Sequence, residues 1–158
     1  METTREKAKE QSHKEIVNHL QDLLEKNYDA EAGYKKALTD AKDGQLKNFL
    51  KQQAALRGRF ATELDHEIRS LNEKPKESGS TTGSLHRAWI DIKTAVTGND
   101  DEAVLEECIR GEKASVDEYQ KALDNQAFPP KIKATLTKQV DEVQATLHKV
   151  KSLEDIMG

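Results

Sequence analysis

The sequence has little of what several large protein classes require. Its single cysteine, Cys108, can form neither an internal disulfide nor a multi-thiolate metal site, as expected in a reducing compartment. Aromatic residues make up 4% of the chain and proline occurs three times, and β-branched runs are scarce, which argues against a β-sandwich or a Rossmann fold. No apolar run approaches the roughly 20 residues of a membrane span. These absences favour a helical protein that is not embedded in a membrane.

The residues that are present favour amphipathic helices. Of 158 residues, 35% are hydrophobic and 34% are charged, the balance expected when each helix has one apolar stripe. The 29 acidic and 25 basic residues are interspersed and give a net charge of −4. No basic face remains for a phosphate backbone, so nucleic acid is not an expected partner. Residues 1–10 are charged, unlike a secretory signal, and we expect a cytoplasmic protein without a membrane partner.

Apolar periodicity, capping residues and turn residues predict four long helices and one short helix. The capping-box pattern of Ser12 and Glu15 places the start of the first helix near residue 12. Residues 72–83 lack an apolar anchor and predict a flexible connection. The predicted helices cover residues 12–41, 45–72, 85–97, 101–125 and 131–155. Two hairpins joined by so long a connection, which itself contains the short helix, indicate a bundle with one long crossover.

Three segments carry a family resemblance: DAEAGY at 29–34, GSLHRAWIDIK at 83–93 and LEECIRGE at 105–112. They resemble a bacterial family of ferritin-like proteins of unknown function, domain of unknown function 2383. The resemblance implies an all-α, ferritin-like four-helix bundle of two antiparallel hairpins, formed as a single domain over residues 1–158. It also implies a homodimer, because ferritin-like bundles often pair through helix faces. It implies no particular activity.

The ferritin-like layout makes a core metal site one expectation. Ferritin-like redox bundles hold two metal ions with one Glu from each of two helices and a Glu-x-x-His from each of the other two. The candidate ligands here are Glu31, Glu63, His66 and Glu112, for iron or manganese. Glu112 lies at the centre of the apolar stripe of its helix, whereas His66 lies roughly 145° from its own stripe. The helical period therefore favours an exposed histidine at position 66.

A second interpretation of the same region needs no metal ion. Polar groups at inward positions predict a core network, because buried charges must be paired and buried polar groups hydrogen-bonded. Arg57 is level with Glu31 in the first hairpin, so we expect these two side chains to pair. The segments YKKAL at 34–38 and YQKAL at 119–123 suggest a repeat between the two hairpins. The expected network consists of Asn27, Glu31, Tyr34, Arg57, Glu112, Tyr119 and Thr146, and Gln139 is expected beside it at the border of the core.

Two functions follow from these interpretations. The first is a structural or interaction protein, stress-related by family analogy, whose metal site has degenerated into the polar network. Such a protein needs no cofactor and is not expected to be an enzyme. The alternative is an iron- or manganese-binding carboxylate protein with oxidase-like chemistry. Cys108 lies on an apolar stripe and no serine stands beside an evident base, so the sequence indicates no catalytic residue.

Overall fold

A computed structural model describes residues 3–79 and 101–157, and these two ranges form four long α-helices without a strand. The helices are α1 (Thr4–Asp40), α2 (Gly44–Ser70), α3 (Asp101–Asn125) and α4 (Pro130–Met157). Three of them lie within two residues of the predicted bounds. The short helix predicted over 85–97 falls outside the described residues.

The helices form two antiparallel hairpins, because α1 packs chiefly on α2 and α3 chiefly on α4. The turn between α1 and α2 is short, and the side chain of Asp43 caps α2 by accepting from the backbone N–H of Leu46 at 2.9 Å. The carboxylate of Asp101, the first residue of α3, accepts from the backbone N–H groups of Lys42 and Asp43 at 3.0 and 2.8 Å. The start of the second hairpin thus fastens the turn of the first.

The first helix begins at Thr4, earlier than the sequence pattern around Ser12 predicts, and that prediction was wrong. Thr3 provides the cap: its hydroxyl accepts from the N–H of Glu6 at 3.2 Å, and its N–H donates to the Glu6 carboxylate at 2.9 Å. This reciprocal capping box satisfies two of the N–H groups that a helix start leaves unpaired. Residues 4–15 are all exposed, so local bonds rather than core packing hold this part of α1.

The chain after α2 is bound to α1, in contrast to the flexible connection predicted over 72–83. The Gln21 amide donates to the carbonyl of Lys74 at 2.8 Å and accepts from the N–H of Lys76 at 2.9 Å. The Lys76 ammonium also lies 2.5 Å from a Glu25 oxygen, and Pro75 between the two lysines is buried. The Gln21 amide therefore hydrogen-bonds to the backbone of Lys74 and Lys76, as the backbone of a neighbouring β-strand would. This corrects the prediction for residues 73–79, and the rest of that connection lies outside the described residues.

The interior consists of two apolar clusters with a polar layer between them. The first cluster lies around the N-terminal half of α1 and includes Ile16, Leu20, Leu24, Phe60, Leu64, Ile68, Leu136 and Val143. The second lies around its C-terminal half and includes Ala30, Ala37, Leu46, Leu50, Leu105, Cys108 and Val150. Burying an aliphatic side chain of this size contributes about 1.5–3 kcal/mol, so the clusters provide most of the driving force for folding. Among the described helices, none combines the length and apolar composition of a membrane-spanning segment.

Candidate functional site

The polar layer is centred on Arg57, which α2 places in the middle of the bundle with 1% of its surface exposed. Its Nη2 donates to Glu112 Oε2 and to Ser115 Oγ, both at 3.0 Å and both on α3. Its Nη1 donates to Asn27 Oδ1 on α1, also at 3.0 Å. One guanidinium group therefore joins three helices, and its charge is matched by a carboxylate that is itself fully buried.

Two buried tyrosines complete the layer, and each reaches across to the other hairpin. The Tyr34 hydroxyl on α1 donates to Glu112 Oε1 on α3 in a short hydrogen bond. The Tyr119 hydroxyl on α3 accepts from the Asn27 amide on α1 at 2.9 Å. Asn27 precedes Tyr34 by seven residues, and Glu112 precedes Tyr119 by the same interval. The two hairpins thus exchange equivalent contacts between α1 and α3.

The fourth helix joins the layer through the side chains of Gln139 and Thr146. The Gln139 carbonyl oxygen accepts from the Tyr119 hydroxyl at 2.6 Å, and its amide donates to Glu63 Oε1 at 2.9 Å. Further along α4, the Thr146 hydroxyl donates to Gln53 Oε1 on α2 at 3.0 Å. All four helices therefore contribute to one hydrogen-bonded layer, which crosses the bundle from Tyr34 to the half-buried Glu63.

Burial and the charges of Arg57 and Glu112 determine the ionisation at the centre of the layer. Burial lowers the pKa of the Arg57 guanidinium, but Glu112, Tyr34 and Tyr119 together outweigh burial, so that this pKa is raised. Burial, followed by the negative charge of Glu112, raises the pKa of Tyr34 well above its ordinary value. Burial also raises the pKa of Tyr119. Both phenols are therefore neutral donors at physiological pH.

The one cysteine lies beside this layer but is not activated by it. Cys108 is buried one helical turn before Glu112. Burial, followed by repulsion from Glu112 and Glu107, raises the pKa of the Cys108 thiol. A nucleophilic cysteine needs the opposite shift, since the thiolate is the reactive form. Cys108 is thus a small apolar residue of the second cluster, as its position on the apolar stripe indicates.

The predicted metal ligands are not gathered into one site. Glu112 lies at the centre, but its two oxygens accept from Tyr34 and Arg57. Glu63 has 35% of its side chain exposed and lies 3.9 Å from Arg59, while His66 is exposed to solvent. Glu31 is 27% exposed and lies 3.8 Å from Lys35. Within residues 3–79 and 101–157, no group of three or more His, Cys, Asp or Glu side chains could hold a metal ion.

The donor set around Glu112 does not fit the iron or manganese that ferritin-like redox bundles bind. A guanidinium group cannot be a ligand and cannot lose its proton in a protein, so Arg57 remains a cation beside the carboxylate. A metal ion at Glu112 would therefore meet the charge of Arg57 at close range. Arg57 also donates to the neutral oxygens of Asn27 and Ser115.

The contacts of Arg57 also correct the pairing expected in the first hairpin. Arg57 pairs with Glu112 on α3, whereas the sequence predicted Glu31 on α1 as its partner. The Glu31 carboxylate lies at the edge of the bundle against Gly58, where a Cβ atom would stand 2.5 Å from its Oε2. Two residues can lie at the same height along a hairpin while their side chains point in different directions. Arg57 points into the core, whereas Glu31 packs against Gly58 at the edge of the bundle. Thr146 is buried as expected, and its hydroxyl donates to Gln53.

Two members of the layer were missed by sequence reasoning. Ser115 lies three residues after Glu112, and Gln53 lies four residues before Arg57. Both intervals place a side chain on the same face of a helix as its neighbour, so this spacing was the available signal. A serine or a glutamine on an apolar stripe is a weaker sequence signal than a charged residue. Each is at most 5% exposed.

Four helices in two antiparallel hairpins, with polar side chains from all four meeting in the core, define a ferritin-like four-helix bundle. Residues 15–125 match the model of the family described as a domain of unknown function, DUF2383, and the chain belongs to this family. A solved structure of a Dps1 mutant from Mycobacterium smegmatis is similar in fold, with a TM-score of 0.77 over 91% of this chain and 97% of that chain. The sequence identity is 16%, which supports the fold alone. No curated protein matches the chain.

Proposed function

We propose that this protein is a structural or interaction protein of ferritin-like fold, in which the core polar layer holds the two hairpins in register. The supporting observation is the buried ion pair between Arg57 and Glu112, which joins the first hairpin to the second. Removing one partner of such a pair costs about 3–5 kcal/mol, because the other charge stays buried and uncompensated. A metal ion at Glu112 would have to displace Arg57 and incur a cost of this kind.

The contacts between the hairpins support a role for the layer in register. Tyr34 and Tyr119 each bond to the opposite hairpin, and Thr146 bonds to Gln53 across the same boundary. Each bond requires two side chains at one height, since a shift of a helical turn moves the partners about 5.4 Å apart. Apolar side chains tolerate such shifts far better than buried polar ones do.

In such a protein, the outer helix faces are the surfaces through which it would act. We include in the proposal a homodimer and a stress-related role, which rest on the family resemblance, and a cytoplasmic location, which rests on the composition of the sequence. Light scattering on the purified protein tests the dimer: a mass near twice the 17.8 kDa of the chain is expected. A monomer at micromolar concentration would remove the dimer from the proposal.

Metal analysis tests the central part of the proposal. The protein is purified without chelator or affinity metal, and iron and manganese are measured per chain by mass spectrometry. We expect amounts far below one ion per chain. The control is Glu106→Ala, since Glu106 is an exposed glutamate on the same helix as Glu112.

The opposite result would support the alternative, an iron- or manganese-binding carboxylate protein using Glu31, Glu63, His66 and Glu112. It requires a stoichiometric metal ion that is lost in Glu112→Ala and retained in Glu106→Ala. If Glu112→Ala fails to fold, Glu112→Gln serves instead, because it preserves the shape of the side chain and removes its charge.

A further inference from the structure

The acceptors around Arg57 form a site of defined shape. Asn27 Oδ1 faces Nη1, while Glu112 Oε2 and Ser115 Oγ face Nη2, each at 3.0 Å. A guanidinium group presents its N–H donors in one plane and in fixed directions. These three oxygens accept hydrogen bonds from both of its terminal nitrogens. The site therefore matches the outline of a planar cation with several donors.

Two of these acceptors, on Asn27 and Glu112, are oriented by contacts that do not involve Arg57. The Asn27 amide donates to the Tyr119 hydroxyl at 2.9 Å and to the carbonyl of Leu23 at 2.8 Å, which turns Oδ1 towards the site. The Tyr34 hydroxyl bonds to Glu112 Oε1, which leaves Oε2 for the cation. Because other residues hold them, Asn27 Oδ1 and Glu112 Oε2 are expected to keep their positions when the Arg57 side chain is shortened.

The charge of the site matches a monovalent cation. Its acceptors include one carboxylate, from Glu112, and the neutral oxygens of Asn27 and Ser115. A guanidinium group balances that single charge, whereas a divalent ion would leave excess positive charge in a dry interior. We infer that the core contains a preorganised guanidinium site, filled by the protein's own Arg57 and selective against divalent metal ions. This inference rests on the proposed function, in which the layer is structural.

Chemical rescue tests the inference directly. Arg57→Ala removes the guanidinium group and leaves its acceptors in place. Adding guanidinium chloride at millimolar, non-denaturing concentration should raise the unfolding midpoint of this variant relative to sodium chloride of equal concentration. At a guanidinium concentration ten times its dissociation constant, the unfolding midpoint should rise by about 4 °C for a chain of this size. The wild-type protein, whose site is filled, should show no rise.

Two further arms define what the site accepts. The double variant Arg57→Ala with Glu112→Gln lacks the countercharge and should lose the guanidinium response. Manganese chloride should stabilise Arg57→Ala less than guanidinium does. An equal response in the double variant, or a larger effect of manganese, would overturn the inference.

Arg57→Lys provides an independent test if Arg57→Ala does not fold. Lysine retains the charge but presents a compact ammonium that cannot reach acceptors on two helices in the same plane. The midpoint should fall by several degrees, and an unchanged midpoint would contradict a site shaped for guanidinium. The failures are distinguishable: metal in the wild-type protein overturns the proposed function, whereas absent rescue with a metal-free wild type overturns this inference alone.

Discussion

The two halves of the polar layer share a geometry and differ in charge. On α1, Asn27 precedes Tyr34 by seven residues, and on α3 Glu112 precedes Tyr119 by the same interval. Each tyrosine bonds to the polar residue of the opposite half. The α1 half contributes a neutral amide, whereas the α3 half contributes a carboxylate. The pairing of residues is thus repeated, but Tyr34 donates to Glu112 whereas Tyr119 accepts from Asn27, and the negative charge occurs in the α3 half.

The other two helices, α2 and α4, also differ in charge, but here the charged residue is a cation and lies on the first hairpin. Arg57 lies thirteen residues after the start of α2 at Gly44, and Val143 lies thirteen residues after the start of α4 at Pro130. The first hairpin therefore contributes the cation of the ion pair and the second contributes Glu112. Two copies of the first hairpin would bring two guanidinium groups together without a carboxylate. The difference between the halves favours the pairing of unlike hairpins, because only that pairing neutralises the layer.

The largest expected effect comes from removing the cation. Arg57→Ala leaves Glu112 buried beside Tyr34 without its countercharge, and we expect a loss of about 3–5 kcal/mol in the free energy of unfolding. Urea denaturation followed by circular dichroism measures it.

Glu31→Gln is the matched comparison, since Glu31 was the partner that the sequence predicted for Arg57. Its carboxylate is partly exposed and pairs only loosely with Lys35, so the change should cost about 0.5 kcal/mol or less. Equal midpoints for Glu31→Gln and Arg57→Ala would refute the assignment of the buried pair.

The tyrosines test the difference between the halves more finely. Tyr34→Phe removes a donor to a carboxylate, a bond worth about 1.5–3 kcal/mol, whereas Tyr119→Phe removes neutral bonds worth about 0.5–1.5 kcal/mol each. Because Tyr119 forms two such bonds, to Asn27 and Gln139, we expect similar total losses from the two variants and a loss per hydrogen bond that is about 1 kcal/mol larger in Tyr34→Phe. The same denaturation series measures both. A loss in Tyr119→Phe at least twice that in Tyr34→Phe would show that charge does not distinguish the halves.

A smaller effect is expected at alkaline pH. The pKa values of Tyr34 and Tyr119 are raised above the ordinary value of 10.0. As pH rises past 10, the unfolded chain releases these protons first, so stability that is fully present below pH 10 is lost above it. Each tyrosine should cost about 0.8 kcal/mol at pH 10.5. Denaturation between pH 9 and 10.5 should give a shallower decline in Tyr34→Phe than in the wild type, and parallel declines would contradict the shift.

Local signals predicted most of the fold and part of the site. Apolar periodicity located α2, α3 and α4 to within two residues, and it placed Asn27 and Glu112 at buried positions. The start of α1 was missed, because the exposed residues of its first turns have no apolar stripe to reveal them. The segment after α2 was missed as well, since its contacts come from Gln21, about 50 residues earlier.

The sequence alone determined an all-α bundle of two hairpins and the faces on which polar residues interrupt the apolar stripes. Those features depend on the helical period, which any single helix displays. Only the tertiary structure decided that Arg57 pairs with Glu112 instead of Glu31. A helical phase specifies the side of a helix on which a residue lies, whereas a contact also depends on how the two hairpins are set against each other. That arrangement pairs the buried cation of the first hairpin with the buried carboxylate of the second.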